Sequence, residues 1–144
     1  GIIATIIRKK ILEQNNIIFE SKYNHIGDFD LFIKLSKICE FDTIQEPVAT
    51  YRIHGENLSL KNLNSEILEM KFWLKINRDN LSKEQEEQFL EKILNKEFFY
   101  LVMNKSIFNA LKFFIKEKYI KRRIKNYILL FTPLFILKKF IWYQ

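Results

Sequence analysis

Two carboxylates two positions apart, Asp28 and Asp30, open the stretch IGDFDLFIKLSK (26–37), and Arg52 and His54 share the same spacing in EPVATYRIHGENLS (46–59). A carboxylate at the start of a helix can take a proton from a substrate hydroxyl, hold a metal, or serve the helix itself. In the last role it accepts from free backbone N–H groups and meets the positive end of the dipole. For an isolated Asp-x-Asp that structural role is the commonest. An arginine offers phosphate a planar fork that donates twice. A histidine can join it on a phosphate or ligate a metal, yet a single histidine in a loop is more often structural. His25, which has no companion motif, is read that way.

The elements that must position these groups follow from periodicity. Leu31, Leu35 and Ile38 repeat at i, i+4, i+7 with Phe32 and Cys39 beside them, which predicts an amphipathic helix of about three turns. Val48, Thr50, Arg52 and His54 alternate with Ala49, Tyr51 and Ile53, which predicts a strand bringing Arg52 and His54 to one side. Pro47 confines the start of that strand to an edge or a bend. Gly55 then opens a loop that holds Asn57 and Ser59. Upstream, the apolar run GIIATIIRK predicts a buried strand from Ile2 to Ile7. A short helix in KKILEQNN follows, ended by its asparagines, after which Phe19 re-enters the core. A buried strand that starts without a cap or turn needs neighbours on both sides, so the chain is expected to be the C-terminal piece of something longer. Beyond about Leu60 the pattern is helical: Leu63, Ile67, Met70 and Leu74 share a face. Ser82 and Gln85 then form a capping box for a helix running to about Asn104, and a third helix starts at Ser106.

Composition narrows the class. With 48% hydrophobic residues in 144, and only three glycines and two prolines, a folded domain of mixed class is expected, helices in excess with a few strands, and not a turn-rich all-β protein. Cys39 is the single cysteine, so an intrachain disulfide and a cysteine-based zinc site are excluded, and a buried inert thiol is expected. The net charge of +7 is concentrated at one end: residues 112–144 hold nine Lys or Arg against the single acid Glu117.

Taken together, GDFDLFIKLS, FDTIQEPVATYRIHGENLS and the opening GIIATIIRKKILEQNNIIFE resemble the C-terminal half of the catalytic domain of family 2 inverting glycosyltransferases. The resemblance covers about residues 1–60. It implies an α/β architecture, the C-terminal half of a GT-A (Rossmann-like) domain, followed by an α-helical extension over 61–144. It also implies transfer of a sugar from a nucleotide-diphosphate donor to a hydroxyl of a glycan or lipid-linked acceptor, with inversion. By the same resemblance Asp28 is the general base and Asp30 braces the helix, while Arg52, His54, Asn57 and Ser59 meet the substrate diphosphate. His54 matches a position that can contact a divalent metal, manganese or magnesium. Gly27 and Lys34 depart from the family pattern, which often has Glu and Arg there. The nucleotide-binding half is expected before Gly1, and these 144 residues alone are expected to be inactive. An Asp-x-Asp that binds metal in nucleotide-sugar enzymes follows a strand, whereas this pair opens a helix, so that likeness is set aside.

The last stretch, about residues 119–144, places Ile120, Ile124, Tyr127, Phe131 and Leu134 on one helical stripe opposite Lys118, Arg122 and Lys125, with a break expected at Thr132–Pro133. Its uncharged run is too short to span roughly 30 Å of hydrocarbon. The flanking lysines, Trp142 and Tyr143 fit a helix lying in an anionic membrane interface, hence a cytoplasmic protein peripheral on the inner face of the cell membrane. Nucleic acid is not an expected partner, because the aromatics sit in aliphatic runs and not among the basic residues. The competing class is a non-catalytic module that binds a membrane or partner, with Asp28 only a helix cap. The tail predicts binding to anionic vesicles that weakens with added salt and is lost on deletion of 119–144. Co-sedimentation with anionic and neutral vesicles checks this, and equal binding to both would reject it.

Overall fold

The computed structural model describes residues 2–50, 52 and 62–116. The chain divides into two compact units, Gly1–Asn57 and Leu58–Gln144. The expected break at Thr132–Pro133 and the interfacial tail lie outside the described residues.

The first unit starts with a single 3-10 turn, Ile2–Ala4, in which Thr5 N–H donates to the Ile2 carbonyl at 3.2 Å. Helix α1 (Lys9–Gln14) follows. It stops where Asn16 adopts a left-handed φ of 50°, with Asn16 N–H donating to Glu13 O and Ile17 N–H to Leu12 O. These are the two bonds of a Schellman ending, and asparagine tolerates the left-handed residue they require. Helix α2 (Gly27–Leu35) has acids in its first turn and Lys34 in its last, as the dipole favours. Its Leu31 and Leu35 are buried, as are the preceding Tyr23 and Ile26. The helix is shorter than its periodicity predicts. Ser36 Oγ donates to Ile33 O at 2.9 Å and the chain turns away, so Ile38 is exposed and not packed. The Cys39 thiol is half-buried and donates to Leu35 O at 3.2 Å.

The α/β expectation is corrected here: among the described residues there is no strand, and the architecture is helical. The predicted strand Ile2–Ile7 is a 3-10 turn followed by irregular chain, with Ile6 94% exposed. The predicted strand around Arg52 is irregular and exposed over Val48–Thr50 and at Arg52. A strand owes its existence to a paired neighbour, and an apolar or alternating run that finds none satisfies its backbone locally or with water. Phe19, expected in the core, is exposed as well. A GT-A half-domain is therefore not the fold of the described residues.

Among the described residues the second unit holds three α-helices: α3 (Leu63–Asn77), α4 (Lys83–Met103) and α5 (Ile107–Lys116). Helix α3 packs on α4, and α4 on α5. The α3–α4 pair is an antiparallel hairpin, because early residues of one meet late residues of the other: Lys96 reaches Glu66 at 3.0 Å, and Trp73 packs on Phe89 at 5.0 Å between ring centroids. Ile67, Met70 and Trp73 form the buried face of α3, so the stripe read from sequence is joined by a tryptophan it did not contain. The capping box at Ser82 is present as read. Ser82 Oγ accepts from Gln85 N–H at 3.2 Å, and Gln85 Oε1 accepts from Ser82 N–H at 2.9 Å. Phe98, Val102, Ala110 and Phe114 close the core between α4 and α5.

Helix α4 ends on a second Schellman motif, with Ser106 N–H donating to Leu101 O and Lys105 N–H to Val102 O. Its left-handed residue is Lys105, φ 59°. A side chain with a Cβ is strained there, whereas glycine is not. Lys105→Gly is expected to raise unfolding stability by up to about 1 kcal/mol after the extra entropy of the unfolded glycine is subtracted, measured as a rise in the urea midpoint.

Candidate functional site

The two aspartates at the head of α2 have different surroundings although only one residue separates them. Asp30 is 4% exposed. Its Oδ2 lies 2.8 Å from Lys34 Nζ, one helical turn on, and the same ammonium donates to Glu20 Oε1 at 2.7 Å. Lys22 stands 3.7 Å from the other Glu20 oxygen. A buried charge must be matched by an opposite one, and the i, i+4 spacing lets Lys34 fold back over Asp30 while its tip reaches the preceding loop. Lys34 thereby links Asp30 of α2 to Glu20 of the preceding loop.

Titration of the cluster follows from the same contacts. Burial on its own disfavours the charged Lys34, but the bonds and charges of Asp30 and Glu20 outweigh it and hold the ammonium above its ordinary 10.5. The hydrogen bond from Lys34, then its charge, with Lys22 adding to it, holds the Glu20 carboxyl below its ordinary 4.5.

Asp28 is half-buried in the first turn, and its Oδ1 accepts from the Phe29 N–H at 2.7 Å. Among the described residues its second oxygen takes no hydrogen bond or ion pair. The residue at the helix boundary, Ile26, has no side chain that can cap, so Asp28 supplies the carboxylate for this end. Gly27 does not owe its presence to the backbone: an added Cβ would meet Phe19 Cδ1 at 3.7 Å and Tyr23 Cβ at 3.9 Å, ordinary contact distances.

The helical period puts Asp28 in one row with Phe32 and Leu35, at i, i+4 and i+7, a quarter of a turn or more from the Asp30–Lys34 row. Phe32 and Leu35 line an open groove of about 1140 Å³ in the first unit, whose walls include Ile7, Ile11, Phe41 and Val48 and whose rim includes Arg8, Glu40, Asp42 and Glu46. Asp28 stands one turn beyond its lining residues. Nothing in the sequence pattern announced this groove, because a period marks which residues of one segment share a side and not which segments come together.

Of the other residues read from sequence, Arg52 is exposed on irregular chain, with no strand to aim it. His54, Asn57 and Ser59 lie outside the described residues. Among those that are described, no three His, Cys, Asp or Glu side chains gather to hold a metal ion, and Asp30 is already neutralised by Lys34. The described residues thus do not supply a manganese or magnesium site. Among them, too, no helix is long and apolar enough to cross a membrane. Glu20 is the site residue that sequence reading missed. The i, i+4 pair of Asp30 and Lys34 was a visible signal, but its third partner fourteen residues upstream had none. No family model, curated protein or solved structure matches the chain significantly.

The signs of the two shifts set a stability window. The Glu20 contribution is full above about 4.5 and is lost as pH falls through its lowered value; the Lys34 contribution is full below about 10.5 and is lost as pH rises through its raised one. Lys34→Met is expected to cost about 1–3 kcal/mol near pH 7, because it leaves the Asp30 carboxylate buried without its cation. This figure is discounted for the partial exposure of the lysine. Urea unfolding at about pH 7 and about pH 3 checks this, with the difference from wild type shrinking in acid.

Proposed function

We propose that the first unit contributes the acceptor-activating carboxylate of an inverting glycosyltransferase that uses a nucleotide-diphosphate sugar. The observation that carries the proposal is the division of labour between the aspartates. Asp30 is buried and neutralised, whereas Asp28 keeps one oxygen uncommitted among the described residues, on the helical row that leads into the groove. An acceptor hydroxyl is too weak an acid to ionise beforehand, so its proton must leave as its oxygen attacks the anomeric carbon. In this reading the new C–O bond forms as the bond to the diphosphate breaks, the nucleotide diphosphate departs, and Asp28 Oδ2 takes the proton. Phe29 N–H holds Oδ1 and so fixes the plane of the carboxylate.

The remaining parts rest on residue type and motif. Arg52 suits the diphosphate through its fork, and His54, Asn57 and Ser59 accompany it; a manganese or magnesium ion on the diphosphate would meet His54. No step here depends on that ion. A glycan or lipid-linked acceptor at the inner face of the cell membrane fits the basic end of the chain, since enzyme and acceptor would share a surface.

A second reading has its own support. The Phe29 N–H bond turns part of the Asp28 carboxylate back onto α2, which is what a residue serving only the helix end would do. In that case the chain is a non-catalytic helical module for a membrane or partner.

Asp28→Asn separates the two. Asparagine accepts the same N–H, so stability is expected to change by less than about 0.5 kcal/mol. Transfer from a panel of nucleotide-diphosphate sugars by the intact natural polypeptide is expected to fall by about 10²–10⁴. Undiminished turnover in the variant, or no turnover in the wild type with any donor, would leave Asp28 as a helix acid.

A further inference from the structure

Helix α5 has two sides of different fate. Ala110 and Phe114 are buried on α4, against Phe98 and Val102. Ile107, Phe108, Leu111 and Ile115 are exposed, Phe108 and Ile115 by 69% and 68%. At about 100° per residue these four occupy one continuous arc of roughly 100°, bordered on its outer edge by Lys112 and Lys116. Lys112 Nζ lies 4.5 Å from the centroid of the Phe108 ring, so the cation borders the apolar face directly. The helix, IFNALKFFIK, contains no acid. The most basic part of the chain comes directly after it in sequence, with Lys118, Lys121, Arg122, Arg123 and Lys125.

A soluble surface gains nothing from four large apolar side chains in a row, and such a face marks something it meets. The charge says what. A protein groove for this helix would need its own acids to match the lysines, whereas an anionic lipid surface offers negative headgroups along the edge and hydrocarbon beneath. The exposed row on α3, Leu68, Phe72 and Ile76, is different, for its border is of mixed sign, Lys75 on one edge and Glu69 on the other.

We infer that α5 is a membrane-inserting helix: Ile107, Phe108, Leu111 and Ile115 enter the headgroup–acyl boundary of an anionic leaflet while Lys112 and Lys116 remain among the headgroups. The residues after it supply the long-range attraction and α5 supplies the apolar anchor. Neither is sufficient, in the way that a single weak anchor gives only marginal binding and two give stable attachment. This inference is independent of the transferase proposal, since it uses only the second unit and its test contains no sugar donor.

The test is co-sedimentation of the 144-residue chain with vesicles of phosphatidylglycerol and phosphatidylcholine, against vesicles of phosphatidylcholine alone. Phe108→Ser with Ile115→Ser, both exposed, is expected to weaken binding to the anionic vesicles by about tenfold or more with the basic tail still in place. Lys112→Glu with Lys116→Glu is expected to weaken it and to flatten its salt dependence. Leu68→Ser with Phe72→Ser is expected to bind as wild type. Circular dichroism and melting confirm that each variant is folded, and a single nitroxide on Phe108→Cys in a Cys39→Ser background reports depth directly, as protection from a water-soluble relaxant on vesicle binding. Unchanged binding of the Phe108/Ile115 variant would overturn the inference, as would a water-exposed label on bound protein, equal loss in the α3 variant, or a loss of self-association in place of vesicle binding.

Discussion

A buried carboxylate that has to be neutralised organises the first unit. Asp30 is almost wholly removed from water, and its charge is met by Lys34 one turn later. The same ammonium reaches Glu20, so one cation ties the loop before α2 to the body of the helix. Around that tie, Tyr23, Ile26, Leu31 and Leu35 find burial. Opposite charges also raise the stakes of the cluster: the pair adds little over a well-packed apolar substitute, but losing one partner leaves a charge stranded in a poor solvent.

The cluster has a consequence for chemistry. With Asp30 occupied by structure, Asp28 is the carboxylate of this helix end that has an oxygen to spare among the described residues. The two residues are near neighbours in sequence but lie on different rows of the helix, one facing the loop and the other in line with Phe32 and Leu35. The helical period, and not any difference between the side chains themselves, assigns one to support and leaves the other for a substrate or for the helix terminus.

The second unit is held together differently. Its hairpin is closed by aromatic contact, Trp73 on Phe89, with Phe98 on Phe114 joining α5 to α4, and is bordered by ion pairs such as Lys71–Glu97 and Arg78–Glu86. The pairs at the border are partly exposed and add modestly; the rings exclude water and fix the register. A third helix, α5, buries Ala110 and Phe114 against α4 and displays Ile107, Phe108, Leu111 and Ile115. That imbalance is the origin of the exposed face on α5.

The chain by itself determined the local grammar: the capping box at Ser82, the asparagine that ends α1, the helix after Gly27 and the three helices beyond residue 60 all follow from side-chain period and from which residues can satisfy free backbone groups. It also marked Asp28 and Asp30 as a pair at the start of one helix. Partner choice was decided only in three dimensions. Ile2–Ile7 and Val48–His54 have the composition of strands, but strand formation is a two-body event, and over the described parts of both runs no neighbour is present, so isoleucines expected in a core stand in water. Glu20 joined Lys34, and α1, α2 and the irregular segments beside them came together as the groove, through contacts that no period announces. Helices are legible because their hydrogen bonds close within four residues; sheets, ion clusters and clefts depend on what the rest of the fold brings alongside.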